Sequence, residues 1–312
     1  MIAGGTLGRG ERLAVGALAA TRAERGSDPE RRVKGPRLSS GATIAIPSPA
    51  SPASSAAADW LEASGYRLVY APAAAEPRER ARLLAEAFAN PEVGAIVCNG
   101  DASTSAELLR YLDYELIASH PKPFVGSGDT TVLHAAFARA SGLVTFWGPL
   151  LPDVSRDEFT RGALLRALTS FEPHGDFDRN SAGRALVPGI AEGVLVGGSA
   201  VALSSLMGTP WEPETRGRIL LLAAPEQPWR IHGPLLHLAN AGKLQECSGL
   251  FVTGIDPEGA AAELVDAVLR PVGIPAVVAT GGGSRLPTVP LGARARLDAY
   301  AGRLELLEAG VR

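Results

Sequence analysis

Cysteine is scarce in this 312-residue chain: Cys98 and Cys247 are the only two, each inside an apolar run (AIVCNG and QECSGLF). Two such residues make no disulfide framework, so a reducing compartment, the cytoplasm, is the expected location. Histidine is sparse too, with five residues at no spacing that selects a metal, and no cofactor is expected. No apolar run approaches the roughly 18–20 residues that span a bilayer. The longest, such as residues 218–224 (RILLLAA), have the length of buried strands, so no membrane partner is expected. Charge of one sign is also missing: a formal −3 argues against a nucleic-acid partner.

What is present is a hydrophobic fraction of 46% with 36 Gly and 24 Pro dispersed along the chain. That balance buries one large core or two modest ones, with many tight turns between short elements. The first 40 residues differ from the rest, with eight Arg/Lys against four acids, a local +4 that leaves −7 for the remainder. Residues 1–37 are read as a basic flexible arm. Their LAVGALAA stretch is too short, and too closely preceded by Glu11 and Arg12, to make a good secretion signal.

Beyond the arm, residues 42–50 (ATIAIPSPA) read as a strand, 54–65 as a helix closed by Gly65, and 66–72 as a second strand, a βαβ unit. The alternation continues with a helix at 77–90, an apolar strand at 93–98, a helix at 103–113, a strand at 123–126, a helix at 130–140 and a strand at 143–146. This predicts a parallel sheet in an N-terminal α/β domain, residues 38–165. Residues 166–188 turn polar and aperiodic and are read as a linker. A C-terminal α/β domain, 189–312, follows: a strand at 190–196, a Gly-Gly turn at 197–198, then strands at 218–224, 249–254 and 275–281 alternating with helices.

Ligands of open α/β sheets collect at the carboxyl ends of strands. Five Gly-containing loops stand there: Asn99-Gly100-Asp101, Gly126-Ser127-Gly128-Asp129, Trp147-Gly148, Gly197-Gly198-Ser199 and Gly281-Gly282 with its neighbours. Strand-to-helix turns leave N–H groups free to bind an anion, although Asp101 and Asp129 read equally well as helix caps. His134, beside Leu133 and Phe137, reads as a core histidine rather than a base.

Taken in order, the stretches GATIAIPSPASP, AEAFANPEVGAIVCNGD, LLRYLDYELIASHPKPFVGSGDTTVLH, GLVTFWGPLL, VLVGGSAVALSSLMGTPWEP, RILLLAAPEQPWRI and TVPLGARARLD resemble the LD-carboxypeptidase family of serine peptidases, from about residue 38 onward. The resemblance implies two α/β domains with an active-site crevice between them, commonly a homodimer. It also implies a Ser-His-Glu triad that cuts an amide next to a D-configured or unusual residue. Each triad motif here carries another residue. The Gly-Tyr-Ser-Asp nucleophile turn reads GSGD, placing Gly128 at the nucleophile with Ser127 one position early. The glutamate after RILLLAA's apolar run becomes Ala223, and the histidine of a Gly-His turn becomes Gly282. The family's Arg-Gly-Gly, Phe-His-Gly and Gly-Gly-Asn turns read Asn99-Gly100-Asp101, Phe146-Trp147-Gly148 and Gly197-Gly198-Ser199.

Without an activated nucleophile, its proton acceptor and the group orienting that acceptor, the acyl-transfer route is closed. The first reading is therefore a non-hydrolysing scaffold that binds a small peptide or peptide-like natural product. Its ligand pocket is formed by Asn99, Gly100, Asp101, Ser127, Gly128, Asp129, Trp147, Gly198, Ser199 and Gly282, with Trp147 as an aromatic wall. The second is a repurposed biosynthetic enzyme, carrying out a cyclisation, isomerisation or elimination, with Asp101, Asp129 or Ser127 as candidate catalytic groups. The third is an active carboxypeptidase using Ser127 with a base from His134 or His232.

Overall fold

The computed structural model describes residues 32–48, 54–100, 104–173, 175–177, 183–281 and 285–312. The basic arm before residue 32 lies outside them, as do Asp101 and Gly282. The described chain forms two α/β layers, each built on one sheet.

In the first, β1 (Thr43–Ile46), β2 (Arg67–Tyr70), β3 (Val93–Val97), β4 (Phe124–Gly126) and β5 (Thr145–Trp147) run parallel in the order β5-β4-β3-β1-β2. The helices between them are α1 (Ser55–Ala63), α2 (Pro77–Ala89), α3 (Ser105–Leu108), α4 (Tyr114–Ser119) and α5 (Thr131–Ser141). Helix α2 begins with Pro77, whose absent N–H costs nothing at a first turn, and buries Ala81, Leu84 and Phe88 on one face. The single helix expected over 103–113 is instead α3, a turn, and then α4. Asp113 explains the break: its carboxylate accepts N–H bonds from Glu115 and Leu116 and so starts a new helix.

After α6 (Glu158–Thr169), the stretch expected as a linker also carries β6 (Gly175–Asp176) and β7 (Arg184–Val187). The second sheet runs β6-β14-β13-β8-β9-β10-β11-β7. Its strands β8 (Ile190–Ser199), β9 (Ile219–Ala223), β10 (Gly249–Thr253) and β11 (Ala276–Ala279) are parallel. β13 (Arg294–Asp298), β14 (Arg303–Leu306), β6 and β7 add antiparallel edges. Helices α7 (Ala200–Ser204), α8 (His232–Asn240) and α9 (Ala260–Leu269) complete the layer.

Gly197 and Gly198, expected as a turn, are the end of β8, with φ of +139° and +136°. A Cβ on Gly197 would overlap the Leu221 carbonyl of β9, and one on Gly198 would stand 2.6 Å from Thr131 at the start of α5. The pair is glycine because two backbones and an interdomain contact close on it, where no side chain fits.

The two layers are stitched together. β12 (Val289–Leu291), from the C-terminal half, pairs antiparallel with β5 on the first sheet. Trp147, the last residue of β5, and Val289 of β12 join an apolar cluster with Leu195, Leu221 and Phe251 of the second sheet. Backbone bonds between Arg37 and Arg312, and between Arg312 and Gly35, hold the chain end against the first layer. Among the described residues no helix is long and apolar enough to cross a membrane.

Candidate functional site

Among the described residues, the turn that follows β4 and the end of β8 meet, bringing a carboxyl end of each parallel sheet together. β4 ends at Gly126; Ser127 follows in extended backbone (φ −146°), and Gly128–Thr130 form one tight turn before α5. Gly128 has φ +59°, the left-handed conformation that glycine adopts at little cost and that other residues resist. Thr130 closes this elbow by donating its N–H (3.2 Å) and its hydroxyl (2.8 Å) to the Ser127 carbonyl. Gly126 must be small because a Cβ there would overlap Thr130 Oγ1 and press on Cys98 Sγ.

Asp129 Oδ2 accepts the Ser105 N–H at 2.7 Å and so ties the loop after β4 to the loop after β3. Its carboxylate caps α3, a different helix from the one it precedes. Asn99 is buried at the end of β3, and Gly100 is exposed with open space where a side chain would project.

The second sheet meets this elbow directly. Ser199 donates its N–H to Thr131 Oγ1 (3.0 Å), and its own hydroxyl accepts from Ala202 at the start of α7. In the strand register Ser199 stands beside Ala223, and Ala223 beside Thr253. The Thr253 hydroxyl donates to the Gly281 carbonyl and anchors the loop that continues into Gly282. Thr131, Ser199, Ala223, Thr253 and Gly281 therefore stand in one row across the strand ends, although they are spread over 150 residues of sequence. Thr253 did not stand out as a sequence motif, because a threonine ending an apolar strand is ordinary.

The interior behind this meeting point is apolar. Trp147 is 3% exposed and stacks on Phe177 (centroids 6.2 Å, 17°), which packs edge-on against Phe251 (5.0 Å). Phe177 also reaches within 3.0 Å of where a Cβ on Gly281 would stand. Trp147, expected as the wall of an open pocket, is packed inside this cluster, and its indole N–H has no hydrogen-bond partner. Phe177 lies in the aperiodic stretch after α6, where nothing in the sequence marked it as part of the site.

Two groups that resemble reactive ones are disabled by burial. His134 donates from Nε2 to the Gly126 carbonyl (3.0 Å), since a carbonyl only accepts, and leaves Nδ1 bare and unpartnered. Burial pushes its imidazole down to about 4, against a smaller pull from the Gly126 bond, so it is neutral at pH 7. Burial likewise pushes the Cys98 thiol up to about 12. Among the described residues no group of three or more His, Cys, Asp or Glu is placed to hold a metal.

Known proteins carry this same two-layer plan. Residues 44–148 match the model of the LD-carboxypeptidase N-terminal domain, and residues 192–297 that of the LD-carboxypeptidase C-terminal domain. A protein of Bacillus subtilis (strain 168) named "Probable murein peptide carboxypeptidase" is 31% identical over 301 residues, spanning 88% of this chain and 94% of its own. The solved muramoyltetrapeptide carboxypeptidase of Oxalobacter formigenes superposes with a TM-score of 0.71 at 27% identity, covering 85% of this chain and 97% of its own. The microcin C7 self-immunity protein MccF of Escherichia coli, solved in complex with aspartyl sulfamoyl adenosine, shares the fold at a TM-score of 0.76 and 21% identity, covering 90% and 100%. With both domain models matched in order and a relative of this identity covering nearly the whole chain, the protein belongs to the LD-carboxypeptidase family.

Proposed function

We propose that this chain is a family member that has given up peptide hydrolysis and uses the crevice to bind a small peptide or peptide-like natural product. The observation that carries the reading is the elbow itself. The strand–turn–helix that presents a nucleophile is intact, and at its left-handed residue stands Gly128, which has no side chain. Ala223 stands where the resemblance places the glutamate, and it abuts the apolar cluster of Phe177 and Phe251. An ionised carboxylate there would need partners that this cluster does not offer.

The same geometry weighs against the other two readings. Asp129, a candidate acid or base, has its carboxylate engaged with the Ser105 N–H. His134, which with His232 is one of the two bases that a Ser127 mechanism could recruit, is buried, neutral and bonded to Gly126. MccF is solved with an aminoacyl-nucleotide analogue, and a carboxypeptidase relative is named for a murein peptide; both are ligands of the peptide-like class proposed here. The proposed setting is the cytoplasm and the proposed assembly a homodimer.

The test is to incubate the purified chain with a muropeptide tetrapeptide and with aspartyl sulfamoyl adenosine, follow D-alanine or amine release by mass spectrometry, and measure binding by calorimetry. Saturable binding of one probe with no release is the expected result. Release by the natural chain would overturn it. A variant carrying Gly128→Ser, Ala223→Glu and Gly282→His should show release above the parent if only the reacting groups were lost.

A further inference from the structure

The geometry points to a second ligand site, remote from the crevice, that binds a phosphoryl group through clustered arginines. At the amino end of the second sheet a cavity of about 500 Å³ is lined by Arg32, Arg216, Arg218 and Arg294, with Glu214 and the backbone of 193–194 and 217. Such a volume falls within the range of small-molecule sites. It lies about 17 Å from Ser199 along β8, five residues of extended chain at roughly 3.3 Å each.

The arginines come from separate segments that the fold brings together. Arg294 opens β13 opposite Val194 of β8. Arg216 and Arg218 flank the left-handed Gly217 in the turn before β9. Arg32 arrives from the start of the described chain and reaches Gly292. Beneath them Gly193 packs tightly: a Cβ there would stand 2.9 Å from the Gly217 carbonyl and 3.1 Å from Ser248 Oγ. That serine hydroxyl is buried with no hydrogen-bond partner.

Carboxylates stand close by, and they decide the class of ligand. Glu246 pairs with Arg216 at 2.7 Å, Glu192 with Arg294 at 3.4 Å, and Glu308 with Arg32 and Lys34 at 3.4 Å. With Glu214 these acids nearly balance the cations, so a monoanion gains little by entering. In the Glu246 and Glu192 pairs the arginines are 75% and 52% accessible, so these two exchange readily. A phosphoryl dianion offers three oxygens to planar guanidinium forks that take it bidentately, more than the single contact, at 2.7 Å for Arg216 and 3.4 Å for Arg294 and Arg32, that each makes with its carboxylate.

Calorimetry with sodium pyrophosphate at constant ionic strength tests this, with sodium chloride and sodium succinate as the other arms. Saturable one-to-one binding of pyrophosphate is expected, at least tenfold weaker for succinate. Arg218→Ala with Arg294→Ala should weaken it at least tenfold. Arg218→Lys with Arg294→Lys, which keeps the net charge and guards against a folding defect, should weaken it at least threefold. Pyrophosphate heats no different from chloride, succinate binding as tight as pyrophosphate, or full affinity in both variants would each overturn the proposal.

Discussion

The two ends of the second parallel sheet are built on opposite principles. At the carboxyl ends of β8, β9 and β10 stand Ser199, Ala223 and Thr253, small neutral residues backed by Trp147, Phe177 and Phe251. At the amino ends stand arginines and glutamates in exposed pairs around a cavity. In open α/β sheets the carboxyl ends are where chemistry is expected. Here the row of described residues at that end, Ser199, Ala223 and Thr253, is uncharged, while paired charges lie at the other end. The difference teaches that glycines and apolar packing set the shape of the carboxyl end, whereas exposed charge pairs line the amino end.

If the crevice end is held by packing and the opposite end by exchangeable pairs, substitutions should cost stability very unequally. Phe177→Ala should have the largest effect, about 3–5 kcal/mol in urea unfolding, since it empties an aromatic stack. A loss under 1 kcal/mol would mean that the stack does not hold the crevice.

Next comes the histidine beneath the elbow. The folded His134 pKa, about 4, lies below its unfolded value of 6.5, so the unfolded chain binds more protons between these values. Stability from neutral His134 is therefore fully present above pH 6.5 and is lost as pH falls towards 4, at most about 3 kcal/mol. Unfolding curves of the natural chain and of His134→Gln should diverge in slope over that window; parallel curves would contradict the burial argument.

Gly197→Ala should cost about 2 kcal/mol or more by thermal unfolding, from a positive φ and an overlap with Leu221. Arg216→Ala, at the other end, should change stability by less than about 0.5 kcal/mol, because its pair with Glu246 is exposed. A large loss there would erase the contrast between the two ends.

Much of the first layer was legible locally. The apolar run at Val93–Val97, the glycine-closed helix before Tyr66 and the proline-led α2 each carry their own periodicity and stop signals. The resemblance also picked out the elbow at Ser127–Asp129, because strand, turn and helix are consecutive in the chain. What escaped was long-range. Gly197-Gly198 reads as a turn from composition alone, since only the approach of Leu221 and Thr131 makes it a strand end. The aperiodic stretch after α6 gave no hint that Phe177 fills the space beside Gly281.

By itself, then, the sequence determined the alternation of strands and helices, the parallel first sheet, the scarcity of thiols and imidazoles, and the residue at each motif of the resembling family. Such properties follow from side-chain type and from neighbours a few positions away. Only the tertiary structure decided that Asp129 caps the helix after another strand, that His134 is held neutral under the elbow, and that Trp147 lies inside the packing. It alone also gathered Arg32, Arg216, Arg218 and Arg294 around one cavity. Burial, protonation and convergence are properties of groups brought together from distant parts of the chain, and a one-dimensional pattern does not contain those distances.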